Sequence, residues 1–104
     1  MIVEERIYTL HPGKVPAFLK FYEEECLAIQ APALGNLIGF FQTEIGPLNQ
    51  VIHMWGYASL DDRAKRRAEL YAKPEWLERV PELLKLIVTM ENKILIPAAF
   101  SPIR

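Results

Sequence analysis

Two β-rich runs, residues 37–44 and 49–57, are separated by only four residues, Ile45-Gly46-Pro47-Leu48. A Gly-Pro connection of this length predicts an antiparallel hairpin with a loop slightly longer than the tightest types. Each side of the hairpin continues into a helix-sized segment and another β-rich run. Upstream, residues 2–10 are rich in β-formers and end at His11-Pro12-Gly13, a turn signal. Residues 13–30 then carry Val15, Phe18, Leu19, Tyr22, Cys26 and Ile29 at helical spacing, with Pro16 in the first turn. Glu23, Glu24 and Glu25 fall off that stripe, Ala31-Pro32 is expected to end the helix, and Gly35-Asn36 marks a turn. Downstream, Ser59 is placed to cap a helix running to about Ala72, with Asp62 where a capping-box acid belongs. Two short helical pieces opening at Pro74 and Pro81 follow, then a last strand over 87–96 and an extended tail.

The order β-α-β-β-α-β is the split βαβ arrangement of a ferredoxin-like α+β fold. It predicts one domain over residues 1–104, a four-stranded antiparallel sheet with its helices on one face. The other face needs cover. With 51% hydrophobic and 11% aromatic residues the chain is no disordered segment, and a second copy is the expected cover.

Charge and cysteine usage exclude several classes. A net charge of -1 argues against a nucleic-acid binder, and the basic run 63–67 follows Asp61 and Asp62, as a solvated helix face does. The lone Cys26, on the apolar stripe of the first helix, makes no internal disulfide and reads as an inert buried thiol. No apolar run approaches the ~20 residues of a membrane helix, and no secretory signal is visible, so the expected location is cytoplasmic.

Strand alternation places Val51, His53, Trp55 and Tyr57 on one face and Ile52, Met54 and Gly56 on the other. The second set suits packing under helices. The first, aromatic bodies with polar tips, suits the lining of a cavity on the helix-free side. Arg6 and Tyr8 share a face of the first strand and are assigned to the same cavity. Arg6, Tyr8, Trp55 and Tyr57 are thus candidate ligand-binding residues. Arg6 would orient an anionic or carbonyl end, and the aromatics a flat body. His53 is the candidate general acid or base, since an ordinary histidine titrates near neutrality. Alternatively these residues fill the interior and satisfy one another. Glu44, at the hairpin mouth, could pair with Arg6 or a helix arginine, and Trp76 reads as a packing anchor. His11 and His53 have no ligand spacing for a metal, the glycines stand singly, and no cofactor is called for.

Several segments resemble the NIPSNAP family. They are Arg6-Ile7-Tyr8-Thr9-Leu10 running into Pro12-Gly13-Lys14, residues 43–51, His53-Met54-Trp55 with Tyr57, and Asp62-Arg63 with Arg66-Arg67. Pro74-Glu75-Trp76 and the ending Ile94-Leu95, Pro97 and Phe100-Ser101-Pro102 complete them, in order along nearly the whole chain. The resemblance implies a dimeric α+β barrel in which two sheets meet face to face. It implies no agreed reaction. Two functions follow as expectations. One is a homodimer that binds, and by one version oxidises or rearranges, a small apolar or aromatic metabolite. The other is a non-catalytic interaction or scaffold module.

Overall fold

The computed structural model describes residues 1–104. Four strands form one antiparallel sheet in the order β2-β3-β1-β4: β1 is Ile2–Leu10, β2 Leu37–Gln42, β3 Gln50–Tyr57 and β4 Ile87–Leu95. Between them lie α1 (Val15–Phe21), a π-helical segment (Tyr22–Cys26), α2 (Leu27–Leu34), α3 (Leu60–Tyr71) and α4 (Pro74–Leu84). This is the ferredoxin-like arrangement. The hairpin joining β2 to β3 closes through a 3.2 Å bond from Thr43 N to Gln50 O, with Gly46 and Asn49 at positive φ in the loop.

The first helical region owes its shape to a recurrence of buried residues every four positions: Phe18, Tyr22, Cys26, Gln30 and Leu34. An α-helix turns once in 3.6 residues, so a strict four-residue repeat drifts off its face by about 40° per step. The wider π turn over Tyr22–Cys26 takes up that drift and keeps the row inward. Gln30, rather than Ile29, is the residue buried there.

Neither proline ends its helix where expected. Pro32 lies inside α2, which stops only at Gly35 (φ 94), where the Gly35 amide donates to Ala31 O at 2.8 Å. Pro81 lies inside α4, which runs as one helix instead of two pieces. An interior proline costs ~3 kcal/mol. Burial of Trp76 and Leu83 on either side of Pro81, ~2 kcal/mol each, offsets it. The tail is not extended throughout either: Ser101 N donates to Ala98 O at 2.9 Å in a turn. Ser59 caps α3 as expected, accepting from Asp62 N at 3.1 Å, while the Asp62 carboxylate accepts from Ala58 N.

The strand register sets Ile2, Glu4, Arg6 and Tyr8 of β1 opposite Tyr57, Trp55, His53 and Val51 of β3. All eight therefore share a face, as alternation required. That face lies under the helices, not on the open side. Phe18 of α1 packs edge-on to Tyr8 at 6.3 Å, and Arg63 of α3 bonds Glu4 at 2.7 Å. The open face carries Glu5, Thr9, Glu91 and Lys93 among Ile7, Ile52 and Met54. The assignment of the His53 face to the helix-free side is thus reversed. The aromatic face buries Tyr8, Val51, Trp55 and Tyr57, and some of its polar groups pair within it, Arg6 with Glu4 and Tyr8 and Trp55 with His53.

Candidate functional site

Glu4, Arg6 and Tyr8 form a ladder along β1. The Arg6 guanidinium donates from Nε to the Tyr8 hydroxyl at 2.8 Å and from Nη1 to Glu4 Oε2 at 2.9 Å. The same Glu4 oxygen accepts from Arg63 Nη2 at 2.7 Å and Asn92 Nδ2 at 2.9 Å. Burial alone would raise the Glu4 pKa, but the bonds from Arg63 and Asn92 and the charges of Arg6 and Arg63 outweigh it and hold the carboxyl down to about 2. Glu4 thus makes the pairs, with Arg6 and a helix arginine, that were expected of Glu44. Glu44 is exposed in the hairpin loop and makes no ion pair. Alternating polar residues in a strand next to arginine were the available signal.

His53 is 2% exposed. Its ring stacks on Phe40 of β2 at 4.6 Å and meets Tyr8 edge-on at 4.9 Å. Trp55 Nε1 donates to His53 Nδ1 at 2.7 Å. Burial, with the charge of Arg6, pushes the imidazole pKa down to about 3. The neutral ring accepts at Nδ1, so its proton resides on Nε2, and Nε2 meets no acceptor in the protein. Near neutral pH His53 is a fixed hydrogen-bond donor, not the titrating acid or base that its ordinary pKa suggested.

A cavity of about 50 Å³ lies between sheet and helices. Of the five candidate residues, Arg6, Tyr8 and His53 line it; Trp55 and Tyr57 are buried on the same face but do not. Trp55 acts behind His53. The Tyr57 hydroxyl is buried without a partner, and burial raises its pKa. The remaining walls come from the helices, β4 and Phe40 of β2. Arg67 and Tyr71 of α3, Trp76 and Leu83 of α4, Phe18, Tyr22 and Gln30 from the first helical region, and Met90 all contribute. Tyr22 donates its hydroxyl proton to Gln30 Oε1. Trp76, the expected packing anchor, is 3% exposed, and its indole N–H has no acceptor. Arg67 lies 5.6 Å over the Tyr71 ring and pairs with no carboxylate. No Asp or Glu lines the cavity.

The cavity is far smaller than the several hundred Å³ usual for a ligand pocket, and holds a few waters or the head group of a small molecule. Crevices of about 380, 260 and 300 Å³ elsewhere are larger but open onto the surface. The last of these shares Tyr22 and Phe40 with the cavity as a common wall. The small cavity is the better candidate because it alone gathers His53 and Trp76, whose buried N–H groups are unpaired. No group of three His, Cys, Asp or Glu side chains is arranged to hold a metal, and no helix is long and apolar enough to cross a membrane. Cys26 is fully buried and its thiol is pushed up to about 11 by burial.

The NIPSNAP family model matches residues 3–102. The crystal structure of a NIPSNAP family protein from Agrobacterium tumefaciens is 60% identical, covers 99% of this chain and 98% of its own, and superposes with a TM-score of 0.97. Protein NipSnap homolog 3B of Homo sapiens is 30% identical over 103 residues, 99% of this chain, which spans 42% of that relative's length. A crystal structure of an antibiotic biosynthesis monooxygenase, 11% identical with a TM-score of 0.65 over 94% of this chain and 99% of its own, shares the fold alone.

Proposed function

The chain belongs to the NIPSNAP family, and from that membership and the geometry of the cavity we propose that it binds a small, largely apolar molecule between sheet and helices, working as a homodimer. The observation behind the binding reading is the pair of buried, unpartnered N–H groups of His53, from the sheet, and Trp76, from α4, both in the cavity lining. An unpaired buried polar group costs ~1–3 kcal/mol, a cost that a bound ligand relieves. Tyr71, Leu84 and Met90, each close to half exposed, form an apolar rim for the part of the molecule that the cavity does not hold. Binding rather than turnover is proposed, because His53 stays neutral and no nucleophile stands beside a base.

The dimer rests on a different observation. Ile45 and Leu48 of the hairpin and Ile96 and Phe100 of the tail are 93%, 69%, 84% and 90% exposed, an apolar set that a second copy would cover. The small size of the cavity favours the second reading, an interaction module whose interior is simply filled. Native mass spectrometry of protein purified from its own host separates the two. The expected result is a two-subunit mass carrying a small molecule that denaturation releases. A ligand-free dimer that instead retains another protein would establish the module, and a bare monomer would overturn both the binding and the dimer.

A further inference from the structure

Every polar group that the cavity leaves unpaired is a donor. His53 presents Nε2–H because Trp55 occupies Nδ1, and Trp76 presents an indole N–H, which can only donate. Neither can satisfy the other. Among the helix-borne arginines, Arg63, Arg66 and Arg79 each have a carboxylate partner, and Arg67 alone does not. Arg67 stands at this cavity, and no acidic side chain lines it. Arg6, the other guanidinium in the lining, is already committed to Glu4 and Tyr8. The site therefore gathers one guanidinium without a carboxylate partner and two buried N–H groups without an acceptor, with Phe18, Leu83 and Ile87 as apolar walls.

We propose that this cavity is a receptor for the carboxylate of a small apolar acid, held by Arg67, His53 Nε2–H and Trp76 Nε1–H. A carboxylate supplies a single negative charge and two acceptor oxygens with about four lone-pair directions, which matches one guanidinium and two N–H donors. A phosphate dianion fits less well, since it brings a second charge into an apolar volume of about 50 Å³ with no second free cation. The proposal rests on the binding reading above and adds the ligand class and the residues that select it.

The chain has two tryptophans, so a spectrum of the ¹⁵N-labelled protein carries two indole signals, one for Trp55 and one for Trp76. Sodium benzoate and benzyl alcohol are titrated as a charged and an uncharged probe with the same ring, and sodium butyrate and butanol as a slimmer pair. The acids are expected to shift the Trp76 indole proton downfield and leave Trp55, already bonded to His53, nearly in place. They should bind about tenfold or more tightly than the matching alcohols, as charge-assisted hydrogen bonds require. Arg67→Gln should remove that preference for acid over alcohol. Equal binding of acids and alcohols would overturn the carboxylate assignment while sustaining the binding reading. No response to any of the four probes, with the Trp76 N–H in contact only with water, would overturn both.

Discussion

Glu4 and His53 sit on adjacent strands of one sheet face, both buried, yet their surroundings are opposite in kind. Around Glu4 the polar groups are complementary. One carboxylate oxygen takes three donors from β1, α3 and β4, and the atoms still unpaired there are an acceptor (Glu4 Oε1), a hydroxyl (Tyr57) and a donor (Arg63 Nε). Such a set can be completed internally or by one water. Around the cavity the unpaired atoms of His53 and Trp76 are both donors, and the nearest free charge, Arg67, has the same need for an acceptor. The Glu4 end ties the sheet to α3. The donors at the His53 end meet no acceptor within the chain.

The contrast predicts where substitutions hurt the fold. Glu4→Ala leaves Arg6 and Arg63 without their shared anion and should cost ~3 kcal/mol or more, read from urea unfolding. A loss below ~1 kcal/mol would mean that the Glu4 network is no more structural than a surface pair.

Acid should weaken the two ends in different windows. The imidazole of the unfolded chain takes up a proton below its ordinary 6.5, while folded His53 refuses one until about 3. The unfolded state then binds more protons, so stability falls as pH drops between those values. Glu4, held at about 2 against an ordinary 4.5, contributes stability that is present above 4.5 and lost between 4.5 and 2. The summed loss on going from pH 7 to 3 is on the order of a few kcal/mol. His53→Gln should flatten the fall in the upper window, between about pH 6.5 and 4.5, where His53 acts alone, and make the fall between 4.5 and 3 shallower, leaving there the Glu4 contribution only. Urea midpoints across pH test this, and an unchanged upper window would take His53 out of the account.

Trp55→Phe removes the donor that fixes the histidine tautomer. It should cost ~1–2 kcal/mol for the lost bond. The ¹⁵N shifts of the His53 ring should move from those of a pure Nε2–H form to those of a tautomer mixture. Unaltered shifts would show that the bond to Trp55 does not set the tautomer.

The strand order and the placing of the helices between the strands were legible in the sequence, while the course of the helices past Pro32 and Pro81 was not. The short Gly-Pro hairpin and the Ser59 cap are local signals; strand alternation grouped Arg6 with Tyr8 and His53 with Trp55 and Tyr57, and the register of β1 with β3 puts the two groups on the common face assigned to them. Which side that face would take was not legible. It depends on whether the polar tips can pair with one another, and the pairs that decide it, Trp55 with His53 and Arg63 with Glu4, come from the rotamers and from α3 docking 59 residues away. The helix-borne half of the cavity was hidden for the same reason. Arg67 and Tyr71 are four apart and share a face of α3, but only the packing of α3 and α4 onto the sheet brings them to His53. The four-residue recurrence from Phe18 to Leu34 was present in the sequence, and counted as such it foretells the π turn that carries Tyr22 and Gln30 to the cavity.

Arg67→Gln gives the smallest expected change in stability and so the sharpest contrast with Glu4→Ala. Both remove one charge from the helix-covered side of the sheet. Removing Glu4 strands two cations. Removing Arg67 strands nothing, because no carboxylate depends on it, and its contact with Tyr71 is worth only ~0.5–1 kcal/mol at a half-exposed position. Its charge also opposes protonation of His53, so the variant should make that ring slightly more basic. Unfolding in urea should then shift by no more than ~0.5–1 kcal/mol. A loss comparable to that of Glu4→Ala would show that Arg67 has a structural anion after all. In that case the two ends of the sheet face would be alike, and the cavity would hold no charge awaiting a ligand.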